Sequence, residues 1–173
     1  MPLVLGLRYP LAGLRAVRKP AIDLLEESTL QLRVHLRDCD VLMHVNNGRY
    51  LSLMDLGRID HSGRSGLIRE MRARRWGAVA GGATIRFRRE LRWRSRYTLR
   101  TKVVGWDERF FYWQQVFERA DGQLAARAYA KVALLDERGK RLDTADALAA
   151  LGVDPESPPL PDGIAAWQSS EFG

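Results

Sequence analysis

An α+β fold built on an antiparallel sheet is predicted by three observations. An alternating strand precedes residue 40, one segment of helical period follows it, and strand periodicity then runs from Trp76 to Asp136. Runs of strands with one segregated helix are the pattern of an antiparallel sheet that carries the helix on one face. The chain has 173 residues, 46% hydrophobic and 28% charged, a globular composition rather than a disordered one. One domain is expected at this length, with roughly 70% of the unfolded chain's surface buried on folding.

The elements follow in order. Met1 to Pro10 is apolar but has no basic stretch before it and no long hydrophobic core, so no signal peptide is expected and the cytoplasm is the default compartment. Residues 1–29 are read as an N-terminal arm or helix packing on the domain. Leu30, Leu32, Val34 and Leu36 alternate with Gln31, Arg33, His35 and Arg37, a half-buried strand. Tyr50, Leu53, Met54, Gly57 and His61 then recur at helical spacing, with Leu51 and Leu56 broadening the stripe. A helix over 47–63 is expected, capped by Asn46 or Asn47 and stopped at Gly63 or Gly66. Further strands are set by Tyr97, Leu99, Thr101 and Val103, and by Phe111, Trp113, Gln115 and Phe117, with a turn at Asp107-Glu108 between them. Asp121-Gly122 marks a hairpin. Ala126, Ala128 and Ala130 then share a strand face that something bulky, such as the helix, must approach. Asp154 to Pro161 ends regular structure, and the domain is bounded at 30–152, with a Pro-rich tail over 153–173.

Charge and rare residues narrow the chemistry. Lys and Arg number 28 against 21 Asp and Glu, a net charge of +7. The excess concentrates between Arg64 and Lys102, a field that attracts polyanions: nucleic acid, an anionic membrane, a phosphorylated ligand or an acidic carrier protein. Trp93 and Tyr97 lie among these arginines at positions able to stack on bases, but no nucleic-acid-binding motif accompanies them. No nucleic-acid partner is expected, and a membrane surface is the weaker rival. The single Cys39 excludes an intramolecular disulfide and a Cys-based zinc cluster, and three histidines fall at no metal-binding spacing. No metal or organic cofactor is expected. Gly63-Arg-Ser-Gly66 is one residue short of a nucleophile elbow, and the glycines from Gly77 to Gly82 lack a phosphate-loop lysine.

One constellation remains: Asp38-Cys-Asp40-Val-Leu-Met-His44-Val-Asn46-Asn47-Gly-Arg-Tyr50, between the first strand and the helix. Asp40 is either a loop cap or a carboxylate able to attack a carbonyl, or to deprotonate water beside one. His44 either orders the loop or touches substrate. Asn47 is either an N-cap or the bearer of a backbone N–H aimed at an oxyanion. Asp38 reads equally as a solvated turn residue, and Asp55 with Arg58, at i and i+3, as a structural ion pair.

The constellation resembles the signature of hotdog-fold thioesterases of the 4-hydroxybenzoyl-CoA thioesterase superfamily, in which an Asp-x-Asp pair precedes a His-Val-x-Asn loop entering the central helix. The resemblance continues through Tyr50 to Arg58, Arg96 to Val104 and Ala125 to Arg141. Gly105 to Tyr112 and the Pro159-to-Trp167 tail are similar to one subgroup of that family. The resemblance implies a hotdog fold, an antiparallel sheet wrapped around one long helix, and a dimer or tetramer with substrate tunnels between subunits. It implies hydrolysis of an acyl thioester, acyl-CoA or acyl carrier protein, with Asp40 as the essential carboxylate. The amides at Asn46 and Asn47 are the expected oxyanion donors, with His44 in the same loop. Tyr50, Arg88 and Arg89 are the expected substrate contacts, the arginines as phosphate partners. Two rival readings are a non-catalytic acyl-thioester-binding or scaffold protein of the same fold, and a polyanion- or membrane-surface-binding module.

Overall fold

The computed structural model describes Gly13, Ala16 and residues 18–169. Most of the expected N-terminal arm, and the end of the tail, lie outside the described residues. Five strands, β1 (Ser28–Arg33), β2 (Gly77–Phe87), β3 (Arg96–Trp106), β4 (Phe111–Arg119) and β5 (Leu124–Leu135), form one sheet in the order β1-β3-β4-β5-β2, every pair antiparallel. The long helix α1 (Arg49–Arg64) links one sheet edge to the other with the short α2 (Leu67–Arg74). Two further helices, α3 (Thr144–Leu151) and α4 (Asp162–Ser169), follow the sheet. The expected α+β arrangement is present.

α1 lies across β1, β3 and β4. Its buried side carries Tyr50, Leu53, Met54, Gly57 and His61, the stripe expected from their spacing, whereas Leu51 is about half exposed. The closest approach is at Gly57. A Cβ there would fall within the van der Waals shell of Thr101 Oγ1 and lie 2.7 Å from Gln115 Nε2. Only a residue without a side chain lets the helix backbone settle on β3 and β4 at this point. Ala126, Ala128 and Ala130 are fully buried, but their role differs from the one expected. They pair with Phe117, Gln115 and Trp113 on one side and with Phe87, Ile85 and Ala83 on the other, so their small size makes room for neighbouring side chains.

Several sequence expectations shift. The first strand starts at Ser28 and gives way to a 3-10 turn at Leu36–Asp38. Regular alternation does not hold through the arginine-rich stretch, because the chain leaves the sheet between Phe87 and Arg96 and Arg94 takes a positive φ of 66°. The cationic strand face expected over 86–102 is therefore broken in the middle. α1 does not stop the helical region. At Gly66, φ of 83° reverses the chain straight into α2, which the density of arginines hides in the sequence. The start of the tail is fastened to β3: Trp106 donates its backbone N–H to Ser157 Oγ at 3.0 Å and its indole N–H to the Pro155 carbonyl at 2.9 Å.

Candidate functional site

The loop ahead of α1 is a small hairpin. Cys39 bridges to Val45, the Asp40 N–H donates to the His44 carbonyl at 3.0 Å, and the Met43 N–H returns to the Asp40 carbonyl at 3.1 Å, with Met43 at φ 62°. The hairpin is tied to the segment after β2. The Val45 N–H reaches the Leu91 carbonyl at 2.9 Å, and the Trp93 N–H reaches the Met43 carbonyl at 2.9 Å. The break in β2 periodicity thus serves to hold this loop.

The two aspartates have different surroundings. Asp38, read equally as a solvated turn residue, is buried and pairs with Arg49 Nη2 at 3.1 Å, while its carbonyl accepts the Asn46 N–H at 2.9 Å. It fastens the start of α1 from within. Asp40 is partly exposed. Its Oδ1 accepts the Leu42 N–H at 2.9 Å and lies 3.5 Å from His44 Nδ1. Its Oδ2 has no partner among the described residues. One oxygen is fixed and the other is open.

The Asn46 amide is committed to Asp38, so the expected pair of oxyanion donors narrows to one. The Asn46 side chain does not cap from a distance either: its Oδ1 accepts the Gly48 N–H at 2.9 Å, and Gly48 is the N-cap. The Asn47 N–H has no partner among the described residues. An unclaimed N–H at a helix start, where the helix dipole is positive, is a donor for developing negative charge.

Tyr50, expected as a substrate contact, is placed in the core. It is buried edge-on between Phe87 and Phe117, at 5.0 and 4.9 Å between ring centroids, and burial raises its phenol pKa to about 12. Both candidate arginines are exposed. The amides of Arg88 and Arg89 donate to the same Ala125 carbonyl, at 2.8 and 3.0 Å, as the chain leaves β2, and Arg88 alone faces a groove described below.

A second feature lies along the C-terminal half of α1. A mostly apolar cavity of about 420 Å³ opens between α1, α2 and the sheet, walled by Ile59, Leu67, Met71, Trp113, Val132 and Leu134. Asp55 and Arg58 stand on its lining and form the ion pair expected from their spacing. Arg58 also donates to Gln115 Oε1 at 2.9 Å, and Gln115 Nε2 donates to the Met54 carbonyl at 2.9 Å and to Thr101 Oγ1 at 3.1 Å. Gln115 was legible only as a polar residue in an otherwise apolar inward series from Phe111 to Phe117. Next to Trp113, and in edge contact with it, His61 is buried. Its Nε2–H donates to the Glu26 carbonyl at 2.9 Å, and desolvation lowers its pKa to about 4. None of Asp40, His44, Asn46 and Asn47 lines this cavity. Within one chain the polar loop and the apolar cavity are separate. Among the described residues, no group of three or more His, Cys, Asp or Glu side chains is placed to hold a metal.

The chain is 41% identical over 110 residues to the zebrafish (Danio rerio) protein THEM6, covering 63% of this chain and 54% of that protein. The chain thus spans about half the length of that curated relative. Among solved structures, the probable thioesterase YbaW from Escherichia coli superposes with a TM-score of 0.65 at 25% identity, over 71% of this chain and 94% of that one. The Staphylococcus aureus protein SAV2348, solved in complex with CoA, superposes with a TM-score of 0.63 at 12% identity, over 84% of this chain and 96% of that one, a likeness of fold alone. The sheet and its long helix are the hotdog fold. The family model that describes the thioesterase-like superfamily matches residues 34–168, and the chain belongs to that superfamily.

Proposed function

We propose that the protein hydrolyses acyl thioesters, carried on coenzyme A or on an acyl carrier protein, with the hairpin ahead of α1 as its reactive centre. One observation carries the reading: the Asp40 carboxylate, with Oδ1 fixed and Oδ2 open, lies in the loop that leads to an unclaimed N–H at Asn47. A thioester carbonyl held at this helix start would direct its oxygen to the Asn47 N–H, where charge on that oxygen is stabilised as the tetrahedral intermediate forms. Asp40 serves either as general base, taking a proton from the attacking water, or as nucleophile toward the acyl carbon. Water supplies the oxygen of the carboxylic acid and the proton of the released thiol. His44, 3.5 Å from Asp40, orients the carboxylate.

The apolar cavity beside Trp113 is the acyl site in this reading. Its separation from Asp40 within one chain makes an assembly of copies part of the proposal. β2 lies at the sheet edge and is exposed along most of its length, an open row of backbone donors and acceptors suited to pairing with a second copy. A dimer or larger homo-oligomer completes the site between chains. YbaW, carrying the description of a probable thioesterase, supports the reaction class.

The same separation favours a second reading, a protein of this fold that binds acyl thioesters without cleaving them, since fold alone does not fix function. Thiol release from acyl-CoAs of graded chain length decides between them. Turnover that rises with acyl length supports hydrolysis. Binding of acyl-CoA with no thiol released from any of them refutes it.

A further inference from the structure

On the sheet face away from α1, three arginines meet without an acidic partner among the described residues. Gln115 points to the Met54 carbonyl of α1, so Gln114, and Tyr129 whose hydroxyl accepts from Gln114 Nε2 at 2.9 Å, lie on the opposite face. Arg127 shares that face with Tyr129, two residues away. The register of β2 and β5 sets Arg86 directly opposite Arg127, and Thr84 directly opposite Tyr129. Arg88, two residues beyond Arg86, is held beside β5 by its N–H bond to the Ala125 carbonyl at 2.8 Å. Together with Gly163 in the first turn of α4, these residues line a groove of about 330 Å³ with no carboxylate among its described lining residues.

Two independent features mark the groove as unfinished. Among the described residues, the side chains of Arg86, Arg88 and Arg127 make no ion pair or hydrogen bond; Arg72 and Arg138 are unpaired too, but here three such side chains line one concavity. Arg86 and Arg127 are moreover like charges directly opposite on neighbouring strands, an arrangement that destabilises a sheet when nothing lies between them. The Tyr129 hydroxyl accepts from Gln114 and so keeps its own proton to donate. Guanidinium groups and a hydroxyl converging on one concavity match the oxygens of a phosphate, which Arg binds by charge-assisted, often bidentate hydrogen bonds.

We infer that this groove is a binding site for a phosphate-bearing ligand, with Arg86, Arg88 and Arg127 as its cationic contacts and Tyr129 as a neutral donor. The site removes the repulsion between Arg86 and Arg127 when it is filled. It rests on the proposed function only for the identity of the ligand: under that reading it receives the phosphorylated nucleotide end of coenzyme A. Arg88, and not Arg89, is the member of the expected arginine pair that belongs to it.

The test uses three probes on the full chain: adenosine 3′,5′-bisphosphate, inorganic phosphate, and phosphatidylcholine vesicles with and without phosphatidylglycerol. Binding to the wild type is compared with Arg127→Gln, and with Arg88→Gln as a second variant. We expect the bisphosphate to bind the wild type and each variant to weaken it by about 10- to 100-fold, the range for a lost hydrogen bond to a charged group. Without any ligand, Arg127→Gln should unfold at a higher temperature than the wild type, because the opposed charges are gone. Arg127-dependent binding of anionic vesicles alone would keep the phosphate site and assign it to a lipid headgroup, and of inorganic phosphate alone to a free phosphate. Binding equal in wild type and variants, or no binding of any probe, would overturn the inference. A chain that binds the bisphosphate through Arg127 but cleaves no acyl-CoA retains this site and loses the proposed function. A chain that cleaves acyl-CoA with bisphosphate binding indifferent to Arg127 does the reverse.

Discussion

Replacing Gly57 with alanine sets two physical effects against each other. In a helix interior alanine is favoured over glycine by about 1 kcal/mol, so helix propensity alone makes the variant more stable. The structure reverses the sign. The new Cβ would overlap Thr101 Oγ1 and stand 2.7 Å from Gln115 Nε2 and 3.0 Å from Leu99 Cδ2. Relieving those contacts lifts α1 from β3 and β4 or rotates Gln115 off the Met54 carbonyl and Thr101. Overpacking of this kind costs about 1–3 kcal/mol, and leaving a buried amide without its partners costs about 1–3 kcal/mol more. After the propensity gain, a net loss of about 1–5 kcal/mol is expected, equivalent to a fall of roughly 2–20 °C in Tm for a chain of this size. Thermal unfolding followed by circular dichroism reads it directly. An unchanged or raised Tm would refute the close approach of helix and sheet at Gly57.

Other outcomes follow from the same structure. His61 is held neutral in the fold, with its pKa lowered from 6.5 to about 4 by burial, so the unfolded chain takes up a proton first and stability falls as pH drops from 6.5 toward 4, by about 3 kcal/mol in all at 1.36 kcal/mol per unit. Urea unfolding across that range should lose much of its pH slope in His61→Gln; an identical slope in the variant assigns the effect elsewhere. Trp106→Phe removes the indole bond to the Pro155 carbonyl and should lower stability by about 1 kcal/mol while leaving far-ultraviolet dichroism unchanged. Light scattering should give the mass of two or more chains, and a fully active monomer would contradict an assembly completed at the β2 edge.

Elements with a strong period were legible in advance. The buried stripe of α1 could be read from Tyr50 to His61, and the β4–β5 hairpin from Asp121-Gly122, where Gly122 takes φ of 77°. The short helices were not. Residues 67–74 span only two turns and carry Arg69, Arg72 and Arg74, so their single buried Leu67 left no visible stripe. The geometry of the candidate loop was legible only in outline. The residue order Asp38 to Asn47 marked the loop ahead of α1, but burial of Asp38 against Arg49, and commitment of the Asn46 amide to it, arise from how the hairpin closes in space. The core packing of Tyr50 was hidden for a related reason: an aromatic residue at a helix start looks the same in sequence whether it faces a ligand or, as here, Phe87 and Phe117. Gln115 and Trp113 could be placed on one strand face but not beside the cavity, because a strand's alternation says which residues share a face and nothing about the cavity they meet.

The account's central claim is that the open carboxylate of Asp40 performs the hydrolytic step. Asp40→Asn retains the side-chain oxygen that accepts the Leu42 N–H and removes the charge, so the hairpin should persist. Measured on the best acyl-CoA substrate with a thiol-detecting reagent, kcat should fall by about 10²–10⁴-fold at an unchanged Tm, the range for loss of a general acid–base group. Turnover within about threefold of wild type, far below that range, would show that another group carries out the chemistry.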